Sequence, residues 1–231
     1  MFYYYGSKTL LSKYYPYPKY DTIVEPFAGS GAYSIFHLKR NPSMRAILLE
    51  KDIRVYETWK YLLQNATPDD IMNYKTPEIG EKTSDFLIMT CAVSNAVSKC
   101  KEMKYTERLA KVFEIQKRRL LNALYLRDRI QIVNDDYRNC KNKKSTWFID
   151  PPYQVTESVN PNTVFANGNG YGKGFGSSDM DYDFLAEWSK GRNGQAIVCE
   201  KVGANWLDFK VLKDGKTSMG KNYKEVFWTN E

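Results

Sequence analysis

An α/β fold with a mainly parallel sheet follows from three features of the sequence. Short apolar runs alternate with helical stretches, the first run breaks into a glycine-rich turn, and the later runs end on acidic residues. Thr22-Ile23-Val24 is the first strand and leads through Glu25-Pro26-Phe27 into the small-residue turn Ala28 to Ala32. A helix is expected from Tyr33 to about Lys39, stopped by Asn41-Pro42. Ala46 to Leu49 forms the second strand, closed by Glu50-Lys51-Asp52, and a helix follows from about Ile53 to Leu63. This strand, turn, helix, strand, acid order opens a doubly wound sheet.

Beyond Pro68, Pro77 and Gly80 the pattern turns helical, from Ser84 to about Leu126, with Leu109, Val112, Phe113, Leu120 and Leu124 on one face. Strands resume at Ile130 to Val133, ending in Asn134-Asp135-Asp136-Tyr137, and at Thr146 to Ile149, ending in Asp150-Pro151-Pro152-Tyr153. A Gly/Asn-rich loop runs from Gln154 to about Ser178, a helix covers Asp183 to Lys190, and Ala196 to Cys199 is a strand. Tyr223 to Thr229 is a candidate last strand. The organisation expected is a catalytic domain over 1–65 and 129–231, interrupted by a helical insertion at 66–128.

Composition narrows the partners. The 231 residues carry a formal charge of +7, and Lys99 to Arg129 alone holds ten Lys or Arg against four acids. One-sided charge on a helix favours a polyanion over a merely solvated face, so Lys117, Arg118 and Arg119 become candidate phosphate contacts. With no long apolar run, lipidation signal or signal-peptide pattern, a cytoplasmic protein is expected, as a monomer or weak dimer. The four cysteines (Cys91, Cys100, Cys140, Cys199) form no CxxC pair and His37 is the sole histidine, so no metal site is expected.

Three motifs carry chemistry. Glu25-Pro26-Phe27-Ala28-Gly29-Ser30-Gly31 lies between a strand and a helix, where Gly29 and Gly31 let the backbone turn and approach a ligand. It lacks the GK[ST] of a P-loop and the GxGxxG spacing of a dinucleotide site. Glu50, one unit later, is placed to take ribose hydroxyls, so the first two strands read as a nucleoside-cofactor site. Asp150-Pro-Pro-Tyr153 suits an amine nucleophile whose lone pair is delocalised. Hydrogen bonds from that amine to the Asp150 carboxylate and the Pro151 carbonyl draw its nitrogen toward a pyramidal form. Pro151 and Pro152 stiffen the backbone, and Tyr153 offers a ring for stacking on a flipped base, a role its ring alone would fill.

The order Tyr5-Gly6-Ser7-Lys8, EPFAGSG, Glu50, helical insertion, Asp136, DPPY resembles the Dam-type DNA adenine N6-methyltransferase family, with small phage-type members the nearer likeness through Ala196 to Phe209. The resemblance implies a Rossmann-like methyltransferase fold and S-adenosylmethionine as cofactor. It implies contacts to that cofactor from Tyr5, Gly6 and Lys8, from the turn Glu25, Pro26, Phe27, Ala28, Gly29 and Gly31, and from Glu50 on the ribose. Asp136 would hold the adenine with Tyr137 beside it, and Asp150 would complete the cofactor site as well as act in catalysis. Double-stranded DNA is the implied partner, with the insertion as target-recognition region and Tyr171 and Lys173 of the Gly/Asn-rich loop as further contacts. Glu50 stands where Asp is commoner, and the FNVP signature of GATC-reading members is not visible. A ribosomal RNA guanine methyltransferase, a silent DNA-binding regulator on the same fold and a dehydrogenase stay open as alternatives.

Overall fold

The computed structural model describes residues 2, 4, 6–91, 103–154, 176–216 and 222–231. Seven strands form one sheet: β1 Thr22–Glu25, β2 Arg45–Leu49, β3 Ile130–Val133, β4 Ser145–Ile149, β5 Gly194–Lys201, β6 Lys210–Lys216 and β7 Asn222–Thr229. Their order is β3-β2-β1-β4-β5-β7-β6. The first five are parallel, and β7 runs antiparallel to both β5 and β6. This is the Rossmann-like methyltransferase architecture expected from the sequence. The β6 strand was not anticipated, because Lys210 to Lys216 carries little apolar patterning and is ordered by its pairing with β7.

The strands bury both faces, as period-two alternation demands in a doubly wound sheet. Ile23, Leu48, Phe148, Ile197 and Cys199 point to one side, and Val24, Leu49, Trp147, Ile149, Ala196 and Val198 to the other. The first side is covered by α1 Ala32–Leu38 and α2 Ile53–Lys60, the second by α6 Tyr182–Lys190. After α2 the chain makes a π-type turn, Tyr61–Asn65, so the expected helix ends in a wider winding.

Between this turn and β3 stand α3 Pro68–Met72, α4 Asp85–Cys91 and α5 Glu107–Leu124. The continuous helical reading from Ser84 to Leu126 is corrected on the described residues. Met103 to Thr106 is non-helical: the backbones of Thr83 and Tyr105 bond to Met103 and Glu81, and Thr106 caps α5. α5 buries Leu109, Phe113, Gln116, Leu120, Ala123 and Leu124, with Val112 at the margin. Its two ends are held differently. At the insertion's entry, Arg54 of α2 pairs with Asp85 of α4 at 3.4 Å, near the carboxyl end of β2. Beyond the exit of α5, Arg127 donates to Ala66 O, and Arg129 donates to Leu38 O at 3.0 Å and Asn41 O at 2.9 Å. Arg129 thus satisfies carbonyls at the end of α1 that have no intrahelical partner. No helix among the described residues is long and apolar enough to cross a membrane.

Arg129→Ala removes two hydrogen bonds from a charged donor and leaves those carbonyls exposed at the join of insertion and sheet. It should cost about 1.5–3 kcal/mol, measured as a lower urea midpoint with an unchanged slope; an unshifted midpoint would contradict this role for Arg129.

Candidate active site

The strand order reverses between β1 and β4, so a crevice opens beyond their carboxyl ends. A cleft of about 910 Å³, counted out to its open mouth, lies there. Gly6, Lys8, Glu25, Pro26, Phe27, Ala28, Gly29, Glu50, Asp136, Tyr137, Asp150 and Pro152 all line it, so the structure gathers most of the residues that the sequence singled out. Tyr5, Tyr171 and Lys173 lie outside the described residues, as does most of the Gly/Asn-rich loop.

The two glycines of the turn do different work. Gly29 has φ +46°, and a Cβ there would meet the Tyr4 ring at 2.7 Å. Its N–H donates to Glu50 Oε2 at 2.9 Å, and its carbonyl accepts from Trp59 Nε1 at 2.8 Å. Gly31, with φ +60°, lets the start of α1 sit on Trp59 and Leu48, which a Cβ would approach to 3.1 and 3.2 Å. Gly31 is therefore spent on packing and not on the cleft wall.

Glu50 is buried, with Oε1 accepting from Asp52 N at 3.0 Å as well as Oε2 from Gly29. Burial pushes its carboxyl up to about 7 against the pull of those N–H groups. Glu25 is deeper still; Ser34 N donates to it at 2.7 Å, and burial pushes it up to about 8. Asp136 is treated in the opposite way. Burial would raise it, but Arg138 grips both its oxygens at 2.9 and 3.2 Å, Lys51 lies 3.3 Å away, and the carboxyl is held below its ordinary value. The Phe27 and Tyr137 rings stand 4.9 Å apart, tilted by 35°, beside it.

At the end of β4, Asp150 Oδ1 is 2.8 Å from Lys8 Nζ. Lys8 also donates to Gly6 O at 2.7 Å and lies 3.7 Å from Glu225. Burial works against the ammonium, but Asp150 and Glu225 outweigh it and its affinity for the proton rises. Burial likewise raises the Asp150 carboxyl, opposed by Lys8. Pro152 O accepts from Tyr182 at 2.7 Å, and Gln154 N donates to the buried Glu200 at 2.8 Å, so the tetrapeptide is pinned from α6 and β5. Pro151 and Tyr153 are not among the lining residues; Pro151 is buried and Tyr153 half-buried, with its ring under the Lys8 ammonium at 4.7 Å from its centroid.

Sequence reasoning missed Tyr4, Lys51, Asp52, Arg138, Asp179 and Met180 of the lining, and Tyr182, Glu200 and Glu225 behind it. For Lys51, Asp52 and Arg138 a signal existed, since they adjoin residues already chosen. Of the basic triplet, Lys117 is engaged by Glu114 at 2.8 Å and by Met72 O at 3.1 Å, Arg118 is exposed and Arg119 is half-buried. All three lie in the half of α5 nearer its C-terminal end, the end followed by the Arg127 and Arg129 anchors.

Such a cleft, with carboxylates, a glycine turn and an aromatic pair at the switch point of a parallel sheet, lies where doubly wound α/β proteins hold their ligands. The family model of the D12 class N6 adenine-specific DNA methyltransferases matches residues 4–147, and the chain belongs to that family. The match stops three residues before Asp150. No curated protein matches. Among solved structures, PH0793 of Pyrococcus horikoshii, described as a transferase, is similar at 13% identity over 90% of this chain and 56% of that one, with a TM-score of 0.29. This chain therefore spans little more than half the length of that relative.

Glu25 supplies a test of the site's electrostatics. Its folded carboxyl, at about 8, lies above the ordinary value of 4.5. The stability it contributes is complete below about pH 4.5 and lost as pH rises through 8. Glu25→Gln should gain stability relative to the parent between pH 5 and 8.5 in denaturant titrations; parallel curves would refute the shift.

Proposed function

We propose that this chain transfers a methyl group from S-adenosylmethionine to the exocyclic amine of adenine in double-stranded DNA. The observation that carries the reading is that Asp150 and the EPFAGSG turn share one cleft, with Glu50 and Asp136 on its far side. Family membership supports the same chemistry.

The residues fit the cofactor. A buried carboxylate raised to about 8, lining a cleft, suits a ligand that brings positive charge. Glu50 keeps lone pairs for ribose hydroxyls beyond its two N–H partners, Asp136 stands ready for an adenine amine, and Phe27 and Tyr137 offer ring faces. When bound, the cofactor supplies an electrophilic methyl group. The chain's own part is to aim the nucleophile. Asp150 and the Pro151 carbonyl accept the two N–H bonds of the target amine and draw its lone pair out of the ring. No general base is required, since the proton leaves to solvent after the attack. Base flipping brings the adenine to Asp150, and Tyr153 stacks on it.

Holding the duplex falls to the insertion, with Arg118 the exposed member of the Lys117, Arg118, Arg119 triplet, and to Tyr171 and Lys173. A role in restriction and modification or in phage, and a monomeric or weakly dimeric state, belong to the same reading.

The direct test is incubation with the cofactor and unmethylated genomic DNA, followed by nucleoside mass spectrometry and motif mapping. N6-methyladenine at a defined motif is the expected product. Methylguanine in a parallel ribosomal RNA reaction, with none in DNA, would replace this reading by the RNA enzyme. Asp150→Ala should lower turnover at least ~10²-fold, the scale for losing a positioned transition-state hydrogen bond, and should also weaken cofactor binding, because it leaves the buried Lys8 ammonium without its carboxylate. Turnover above a tenth of the parent would overturn the role.

Cofactor affinity should rise between pH 6 and 7.5. In the free protein Glu50, at about 7, and Glu25, at about 8, are partly protonated there. A cationic ligand favours their ionised forms, so binding releases protons. Calorimetry in two buffers of different ionisation heat measures this, and proton uptake would contradict the assignment.

A further inference from the structure

Strand β7 carries a residue that the functional reading leaves unused. Glu225 is 5% exposed and lies opposite Lys201 of β5 and Lys213 of β6. Two phenols donate to its Oε1: Tyr15 at 2.7 Å and Tyr153 at 2.5 Å. Lys8 Nζ is 3.7 Å from the same oxygen while it pairs with Asp150. A carboxylate is an acceptor only, and one buried this deeply persists because partners of this kind satisfy it. It lies well beyond the segment that the family model matches.

We propose that Glu225 is a positioning residue for the methyl-transfer site, holding the Tyr153 ring by its hydroxyl in the plane on which the target base stacks. This rests on the adenine-methylation reading above. Tyr153 ends the DPPY turn, and its ring can otherwise rotate about two side-chain bonds. Anchoring the hydroxyl removes both rotations before any base arrives, so ordering costs nothing at the moment of binding. The anchor is itself fixed. Tyr15, which shares the oxygen, packs edge-on against Phe148 at 5.0 Å and Phe227 at 6.3 Å, so the shared acceptor is braced by the sheet core. Lys8 covers one face of the Tyr153 ring, 4.7 Å from its centroid, so the ring is held from its face as well as by its hydroxyl. The hydroxyl therefore matters, contrary to the expectation that a bare ring suffices.

The test is a double-mutant cycle on methyl transfer to unmethylated DNA with the parent, Glu225→Gln, Tyr153→Phe and the double variant. Each single variant should lower kcat by roughly tenfold to hundredfold, the scale on which misplacement acts, with KM for the cofactor unchanged. The double variant should be no worse than the poorer single one, because both act on one contact, Glu225→Gln by taking the charge from the acceptor and Tyr153→Phe by removing the donor. Losses that multiply, or full turnover in Glu225→Gln, would overturn the proposal. If Glu225→Gln does not fold, Glu225→Asp, which keeps the charge and withdraws the oxygen, is read in the same way. A second readout needs no activity. With 3-fluorotyrosine incorporated, the fluorine resonance absent from Tyr153→Phe should shift or broaden in the Glu225 variant, and an unmoved resonance would also overturn the anchor. A parent protein that leaves adenine unmethylated while the resonance responds would count against the functional reading and not against the Glu225 contact.

Discussion

Burying the Lys8 ammonium beside Asp150 is the constraint on which the site depends. Neither charge is tolerable alone at that depth, and each makes the other possible. The pair also fixes chain topology. It fastens the N-terminal segment to the carboxyl end of β4, while the Ser7 hydroxyl reaches Ser30 in the glycine turn and Tyr15 reaches Glu225 on β7. Residues near both ends of the chain thereby converge on one strand end. Breaking the pair by removing one partner would strand the other, so the arrangement tolerates little drift.

The remaining carboxylates follow from the sheet's geometry. Parallel strands bring their carboxyl ends to one edge, and an acid closing β1, β2 or β4 must face the crevice. What separates these acids is the supply of donors. Glu50 has two backbone N–H groups and Asp136 has a guanidinium, whereas Glu25 has Ser34 N–H and little else to offset burial. Their titration differs accordingly, with Glu25 and Glu50 pushed up and Asp136 pulled down. One edge thus holds acids poised for different partners, a common property of functional sites.

How much was legible in advance follows from range. Strand cores, the glycine turn and DPPY are local patterns, and the five parallel strands stand where period and composition put them. The contacts that pin DPPY were not legible. Glu225 meets Tyr153 across 72 positions and Glu200 meets Gln154 across 46, and such encounters depend on the register of the β5, β6 and β7 antiparallel pairs. The break before α5 was hidden for a similar reason. Met103 to Tyr105 is drawn out of a helix by backbone bonds to the chain at 80–83, which no local propensity records. Gly31 was placed in the right turn, but its neighbours, Trp59 and Leu48, come from the next unit.

A basic protein with an acidic cleft looks contradictory for the proposed activity on DNA. The contradiction dissolves when the charges are assigned to separate tasks. The duplex presents phosphates at its surface, and cations on the insertion can meet them without entering the cleft. On the proposed function, what enters is a neutral base and a positively charged cofactor, and for these an acidic, partly dehydrated crevice is favourable. Among the described residues, Lys8 is one of three cations in the lining, with Lys51 and Arg138. As a cation within the crevice, it is shared by Asp150 and Glu225 and covered by the Tyr153 ring, so it lowers the cost of two carboxylates without presenting a free charge to the cofactor. On the proposed function the charge distribution would sort ligands by sign, with the polyanion outside and its base alone admitted to Asp150.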